Sequence, residues 1–224
     1  WENRKLSSIL KAHRDVFDIM DGFYREGRLY MIYGNHDIVK RYPAFAKKNP
    51  YRSGKHGRTG SSPLFKDIKM HEGLVLRYRR ASGSIFVVHG HQGDLFNDRL
   101  WPLARFLVRY IIRPLEVMRF KNLASPAQNN RLKARIEAGI TSWVSENRQM
   151  VIAGHTHQSV FPEAGSPPYF NDGCCVHAGY ITGIEIEDRR ISLVKWCTET
   201  QKEGSAAVVR KILSGPESLS SFLE

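Results

Sequence analysis

Three short polar segments carry the side chains that can do chemistry in this chain. They are Gly34-Asn35-His36-Asp37, His89-Gly90-His91 and Gly154-His155-Thr156-His157. Imidazole nitrogens bind divalent metal ions, and imidazole also transfers protons near neutral pH. The three segments together therefore predict a metal site with a proton-transferring group. The first segment could instead be only a tight turn. The third segment could instead be only a pair of exposed histidines.

The side chains of these segments suggest different tasks. Asn35 offers a carbonyl oxygen to a metal ion, while His36 can donate a proton, with Asp37 as the group that orients its ring. His155 and His157 are close enough in the chain to converge on one small volume. His89 stands directly at a strand end and is a better ligand candidate than His91, for which contact with substrate or plain solvent exposure remains open.

Each segment follows an apolar stretch that predicts a β-strand. Residues 28–33 precede the first segment, Ser84–Val88 the second and Met150–Ala153 the third. Ligands of open α/β sheets bind at the carboxyl ends of the strands. We therefore expect the three segments to meet at one edge of a sheet.

The rest of the chain predicts an α/β fold, or α+β by count of its elements. Apolar spacing from Leu6 to Met20 predicts one helix that stops near Gly22, and residues 98–147 turn helical again. We expect a loop at 49–63, a hairpin turn at 187–190 and a fraying tail at 214–224. The other predicted strands are short apolar runs at 68–79 (with a turn at 72–73), 159–161, 169–170, 181–186, 191–196 and 207–213.

The order of the three segments resembles the calcineurin-like metallophosphoesterases. That superfamily carries five motifs, D-x-H, G-D-x-x-D, G-N-H-D/E, a histidine before glycine, and G-H-x-H, and the last three are present here in order. Residues 169–174 also resemble the family's asparagine-glycine turn. The first two motifs are absent, because no aspartate is followed two residues later by histidine. We therefore expect an N-terminally incomplete phosphoesterase domain over residues 1–224, lacking its first strands and active-site ligands.

The resemblance implies a two-sheet sandwich flanked by helices, with two divalent metal ions (Mn²⁺, Fe²⁺/³⁺ or Zn²⁺). Asn35, His89 and His155 would bind one ion and His157 the other. His36 would assist the leaving oxygen, with Asp37 as its partner. The implied reaction is hydrolysis of a phosphate ester or anhydride by a metal-activated water.

Residues 98–147 are expected to form a helical insertion that caps the site. Between residues 97 and 135 there are nine lysines and arginines against two acidic residues, a surplus of +7 within a chain total of +12. Arg105 and Arg109 lie four residues apart in a basic stripe with interleaved aromatic residues. With His91, they are the substrate-binding candidates for a phosphorylated small molecule or a lipid-linked phosphate. An anionic membrane surface or a solvated arginine face would also suit the stripe.

The positive charge attracts anions but does not choose among them. A nuclease of the same superfamily is an alternative, with nucleic acid bound by the basic insertion. It ranks lower because no nucleic-acid-binding motif is evident, and a non-catalytic binding scaffold is the third hypothesis. The three cysteines have no metal-binding or disulfide spacing, which indicates a cytoplasmic protein. The basic insertion would also allow peripheral contact with a membrane.

Overall fold

The computed structural model describes residues 6–34, 38–42, 52–53, 62–63, 65, 67–77, 83–91, 126–201 and 204–223. The chain forms two compact units, residues 1–73 and residues 74–224. Helices and strands are mixed in the described part of the chain, in keeping with the expected α+β content. The expectation that all 224 residues form one domain stays a prediction.

The N-terminal unit begins with two helices where the sequence predicted one. Helix α1 spans Leu6–Ala12 and α2 spans Arg14–Arg25, with a turn at His13 between them. The predicted stop at Gly22 is wrong, since α2 continues for three more residues. Gly27 ends it instead, at φ +69°, with its N–H bonded to Tyr24 O at 2.9 Å. A glycine in the left-handed region just past a helix is a common C-terminal cap.

The strands of this unit are short. β1 (Met31–Ile32) pairs in parallel with β4 (Met70–His71), and β2 (Arg52–Ser53) pairs antiparallel with β3 (Ser62–Pro63). A short 3-10 helix spans Ile38–Arg41. The strand predicted at 28–33 is therefore reduced to two residues. The described parts of the predicted 49–63 loop are β2 and β3.

In the C-terminal unit, β5 (Gly73–Arg77), β6 (Ser84–Val88), β7 (Met150–Ala153) and β8 (Tyr169–Asn171) form one sheet in that order. Strands β6, β7 and β8 run parallel, so their carboxyl ends lie at the same edge. The predicted strands 84–88 and 150–153 are confirmed to the residue. The helical expectation for 98–147 is confirmed over α3 (Pro126–Asn147), and residues 92–125 lie outside the described residues.

Strand β7 is buried on both faces because each face packs against a different layer. Met150 and Ile152 join one apolar cluster, while Val151 and Ala153 join another. The second cluster includes Ile140 and Val144 of α3, so the helix covers that face of the sheet. An uninterrupted apolar run of this kind is typical of a parallel strand covered on both sides.

The layer on the opposite face is an antiparallel sheet of three successive strands. These are β9 (Tyr180–Glu187), β10 (Arg190–Thr200) and β11 (Ala206–Ser218). Ile191 of β10 is fully buried in the cluster of Met150 and Ile152, with Ile184 of β9 packed against it. The two sheets therefore share one apolar core.

Two expectations for this region are wrong. The tail does not fray, because β11 continues to Ser218 and α4 (Ser220–Leu223) follows it. Leu219, Phe222 and Leu223 are buried in the shared core, which is the physical reason for their order. Residues 159–161 do not form a strand; Val160 makes an isolated bridge to Asn171.

Among the described residues, no helix is both long enough and apolar enough to cross a lipid bilayer.

Phe170→Ala should lower the stability of the C-terminal unit more than the truncation of any exposed side chain does. Phe170 is fully buried, and its ring lies 5.1 Å from Phe161 and 5.0 Å from Phe222, both edge-on. Removing a buried phenylalanine ring leaves a cavity, so we expect a loss of about 3–5 kcal/mol in the free energy of unfolding. Urea unfolding measures it. The control is Val208→Ala, at a side chain 71% exposed, which should cost less than about 1 kcal/mol.

Candidate functional site

Three histidine rings lie close together at the carboxyl edge of the β5–β8 sheet. His89 follows β6 and His155 follows β7, and their ring centroids are 5.2 Å apart. The His91 ring lies 5.4 Å from that of His89 and 6.4 Å from that of His155. The second and third of the predicted polar segments therefore meet, as the strand order required.

Backbone hydrogen bonds hold these segments in register beyond the strands. Gly154 N donates to His89 O at 3.1 Å, which links the loop after β7 to the loop after β6. Asp172 N donates to Ala153 O at 2.9 Å, which links the end of β8 to the end of β7. These two hydrogen bonds fix the positions at which the loops leave the sheet.

The loop backbones adopt conformations that few residues tolerate. Gly90 has φ +100°, and a β-carbon there would lie 3.0 Å from Gly154 O and 3.3 Å from the β-carbon of His155. Only glycine allows the two loops to approach this closely. His155 (φ +72°) and His157 (φ +60°) also lie in the left-handed region, which is uncommon for residues with side chains. Such strain concentrates at functional sites.

A buried polar network supports the loop after β7 from below. Asn171 is fully buried, and its Nδ2 donates to Gly154 O, Thr156 Oγ1 and Tyr169 OH, each at 3.0 Å. Its Oδ1 accepts the N–H of Gly173 at 2.9 Å. The sequence indicated Asn171 only as part of a turn. Its place at the last position of a buried strand was the signal that it would have to satisfy neighbouring backbone groups.

Helix α3 and Tyr169 complete this network. Thr156 Oγ1 donates to Glu137 Oε1 at 2.6 Å, which ties the histidine loop to α3. Burial raises the pKa of the Tyr169 hydroxyl to about 12, although the Asn171 side chain opposes the shift. Tyr169 therefore stays protonated at neutral pH. The histidine loop is anchored on its buried side by neutral groups and one carboxylate.

Asp172 is a carboxylate that the sequence analysis did not single out. A β-carbon on Gly154 would lie 2.9 Å from Asp172 Oδ1, so this group packs directly beside the histidine loop. Surrounding protein atoms desolvate its carboxyl and raise its pKa to about 6, while the residue still keeps an exposed side. A nearby cation would favour the ionised form. Its position just after β8, at the edge where the histidines lie, was the available signal.

The spacing of His89 and His155 fits two imidazoles on one metal ion. With a metal–nitrogen distance of about 2.0–2.1 Å, each ring centroid would lie about 3.2 Å from the ion. Ligand angles of about 90–110° then put two centroids about 4.5–5.2 Å apart. The measured 5.2 Å is at the upper end of that range, whereas the 6.4 Å between His91 and His155 is outside it. The centroid separation of His89 and His155 is therefore within the range for two adjacent ligands of one ion.

Within the described part of the chain, no three His, Cys, Asp or Glu side chains are arranged to hold a metal ion. The third expected ligand of the first ion, Asn35, lies outside the described residues, as do His36, Asp37, Arg105 and Arg109. His157 is exposed and lines a cleft of about 260 Å³ together with Ser159, His177, Tyr180, Thr182 and Lys195.

No protein-family model matches the chain, and no curated protein matches it. Among solved structures, the crystal structure of Vps29 from Chaetomium thermophilum is similar at 11% identity, with a TM-score of 0.26. The match covers 64% of this chain and 59% of the Vps29 chain. A likeness at this level does not establish a common fold.

Asn171→Asp should destabilise the protein by about 2–4 kcal/mol at neutral pH. The substitution keeps the shape and the acceptor for Gly173 N, but it removes the donors and buries a charge near Glu137. Chemical denaturation measures the loss. The control is Asn147→Asp at the exposed end of α3, where Nδ2 donates to Trp143 O and the change should stay within about 0.5 kcal/mol. Equal losses in both variants would contradict the supporting role of Asn171.

Proposed function

We propose that this protein is a metal-dependent phosphoester hydrolase of the calcineurin-like metallophosphoesterase superfamily. The proposed substrate is a phosphate ester or anhydride, either a small molecule or lipid-linked. The three loop segments are present in the order that the superfamily uses. The carrying observation is the 5.2 Å separation of the His89 and His155 rings at the ends of adjacent parallel strands.

The surroundings of these rings favour a working site over a chance pair of histidines. Gly90, His155 and His157 hold positive φ angles in the two loops that meet there. The fully buried Asn171 anchors the same loop through Gly154 O. Strain in the loop and a satisfied polar network beneath it are the features that pre-organise a functional site.

In this proposal the packed pair of sheets corresponds to the core of the metallophosphoesterase sandwich. His89 and His155 would hold the first ion with Asn35, and His157 would hold the second. When bound, the ions supply a water-derived nucleophile at neutral pH and neutralise charge on the phosphoryl group. His36 donates a proton to the leaving oxygen, and Asp37 orients its ring.

His155→Ala and His89→Ala should each lower the affinity for Mn²⁺. Loss of a direct ligand should exceed the roughly 10–100-fold loss seen when an outer hydrogen-bond partner is removed. The measurement is metal content after equilibrium dialysis of the full-length protein. His13→Ala, at an exposed histidine on the turn between α1 and α2, is the matched control and should keep the wild-type metal content. Retention of metal in both loop variants would refute the assigned ligand pair.

The catalytic role proposed for His36 predicts a loss of turnover without a loss of metal. His36→Ala should keep its metal while turnover falls by about 10²–10⁴, since it removes a proton donor and no ligand. Chelator-sensitive hydrolysis of an aryl phosphate monoester and diester measures turnover. Salt-sensitive cleavage of DNA in place of ester hydrolysis would identify the nuclease alternative. Absence of both metal uptake and turnover would identify a binding scaffold.

A further inference from the structure

The cleft next to His157 has the chemistry of an anion site. The β9–β10 cleft, as we call it, is lined by His157, Ser159, His177, Tyr180, Thr182 and Lys195, among others, and measures about 260 Å³. The described residues that line it include a lysine and two histidines but no acid. That volume is just below the roughly 300–1,000 Å³ of pockets for drug-sized ligands, so the cleft suits a small group.

Lys195 lies on a face of β10 where a lysine is unexpected. The ladder pairs Leu193 with Ile184 and Lys195 with Thr182. Side chains two residues apart on a strand share a face. Because Ile184 packs against the apolar core, Lys195 continues the core-facing row and is half-buried. A partly desolvated ammonium attracts an anion more strongly than one in open water.

The neighbours of Lys195 do not explain its charge. Lys211 of β11 stands directly opposite it in the ladder, and like charges in that position are destabilising. Lys211 forms an ion pair with Glu199. Lys195 instead lies over the Tyr180 ring, with Nζ 4.4 Å from the centroid. Lys195 thus places a second positive charge beside Lys211, at a position of β10 where packing alone would favour an apolar residue.

The aromatic ring of the cleft is already covered. His177 stacks on Tyr180 with centroids 4.9 Å apart and an interplanar angle of 21°. With Lys195 also over that ring, Tyr180 positions one ammonium and one imidazole and offers little surface for stacking a base. The Thr182 hydroxyl accepts Cys174 N at 2.8 Å and so belongs to the scaffold. Ser159, His157, His177 and Lys195 also line the cleft with polar side chains.

We propose that the β9–β10 cleft binds an anionic phosphate group carried by an organic substrate, in addition to the phosphate that is cleaved. His157 connects the two places, since it lines the cleft and stands two residues from His155 in the chain. In naming a substrate phosphate, this inference rests on the proposed function. It implies a substrate with two anionic groups, such as a diphosphate or a phosphorylated phosphate ester.

The test is anion binding by the metal-free, full-length protein, measured by isothermal titration calorimetry with pyrophosphate. Wild type should bind it, and Lys195→Gln should bind it at least about tenfold more weakly because a charge-assisted contact is lost. The matched control is Lys211→Gln, which removes the opposite lysine of the ladder, one that is already neutralised by Glu199. Its affinity should stay within about twofold of wild type.

Several results would overturn the inference. These are no detectable binding by wild type at about 10 mM pyrophosphate, equal affinity in wild type and Lys195→Gln, or equal weakening in both lysine variants. Thermal melting checks that each variant is folded. If Lys195→Gln does not fold, His177→Gln, at an exposed side chain, takes its place with the same expectation.

A second arm separates an organic phosphate from the free ion. Phenyl phosphate should bind the metal-free protein more tightly than inorganic phosphate does, because Leu213 adds an apolar wall to the cleft. Equal or weaker binding of phenyl phosphate would contradict a substrate group as the ligand. Because the binding assay needs neither metal nor turnover, it is independent of the proposed function. Lysine-dependent binding by a protein that hydrolyses no phosphate ester once Mn²⁺ is added would sink the proposed function and leave the anion site standing.

Discussion

The hydrogen bond from Gly154 N to His89 O is the contact on which the candidate site depends. It continues the parallel β6–β7 ladder one step past the strands, so the loops that carry His89 and His155 leave the sheet side by side. The same step recurs between β7 and β8, where Asp172 N donates to Ala153 O. A site built this way is as rigid as the sheet beneath it, and its parts come from segments far apart in the chain.

That rigidity comes from the double burial of β7. One face of this strand packs on the β9–β11 sheet and the other on α3, so a shift of the strand would disturb two apolar clusters at once. The C-terminal residues Leu219, Phe222 and Leu223 close the first cluster. The end of the chain is therefore part of the support of the site, although it lies far from the histidines in sequence.

The sequence predicted the strands that carry the site better than the elements around it. The run Met150–Ala153 is apolar throughout, with Gln149 before it and Gly154 after it, so its ends were visible from the sequence. The tail was missed because Leu219, Phe222 and Leu223 are spaced among serines, and only the tertiary core reveals where they go. The sequence did not indicate the roles of Asn171 and Asp172 for a similar reason, since these roles depend on β8 lying beside β7. No single-chain pattern encodes that adjacency.

The two polar regions of the C-terminal unit differ in how their charge is arranged. Around His155, the loop is anchored by the buried Asn171 and Tyr169 and the half-buried Glu137, and a carboxylate, Asp172, packs beside it. On the β9–β10 side, Lys195 and His177 share the Tyr180 ring, and the described residues that line the cleft include no acid. Residues 155–157 thus connect the ring cluster of His89 and His155 to the cleft that His157 lines. A substrate phosphate held by the second region would present its neighbour to the first, which is the arrangement that positioning catalysis requires.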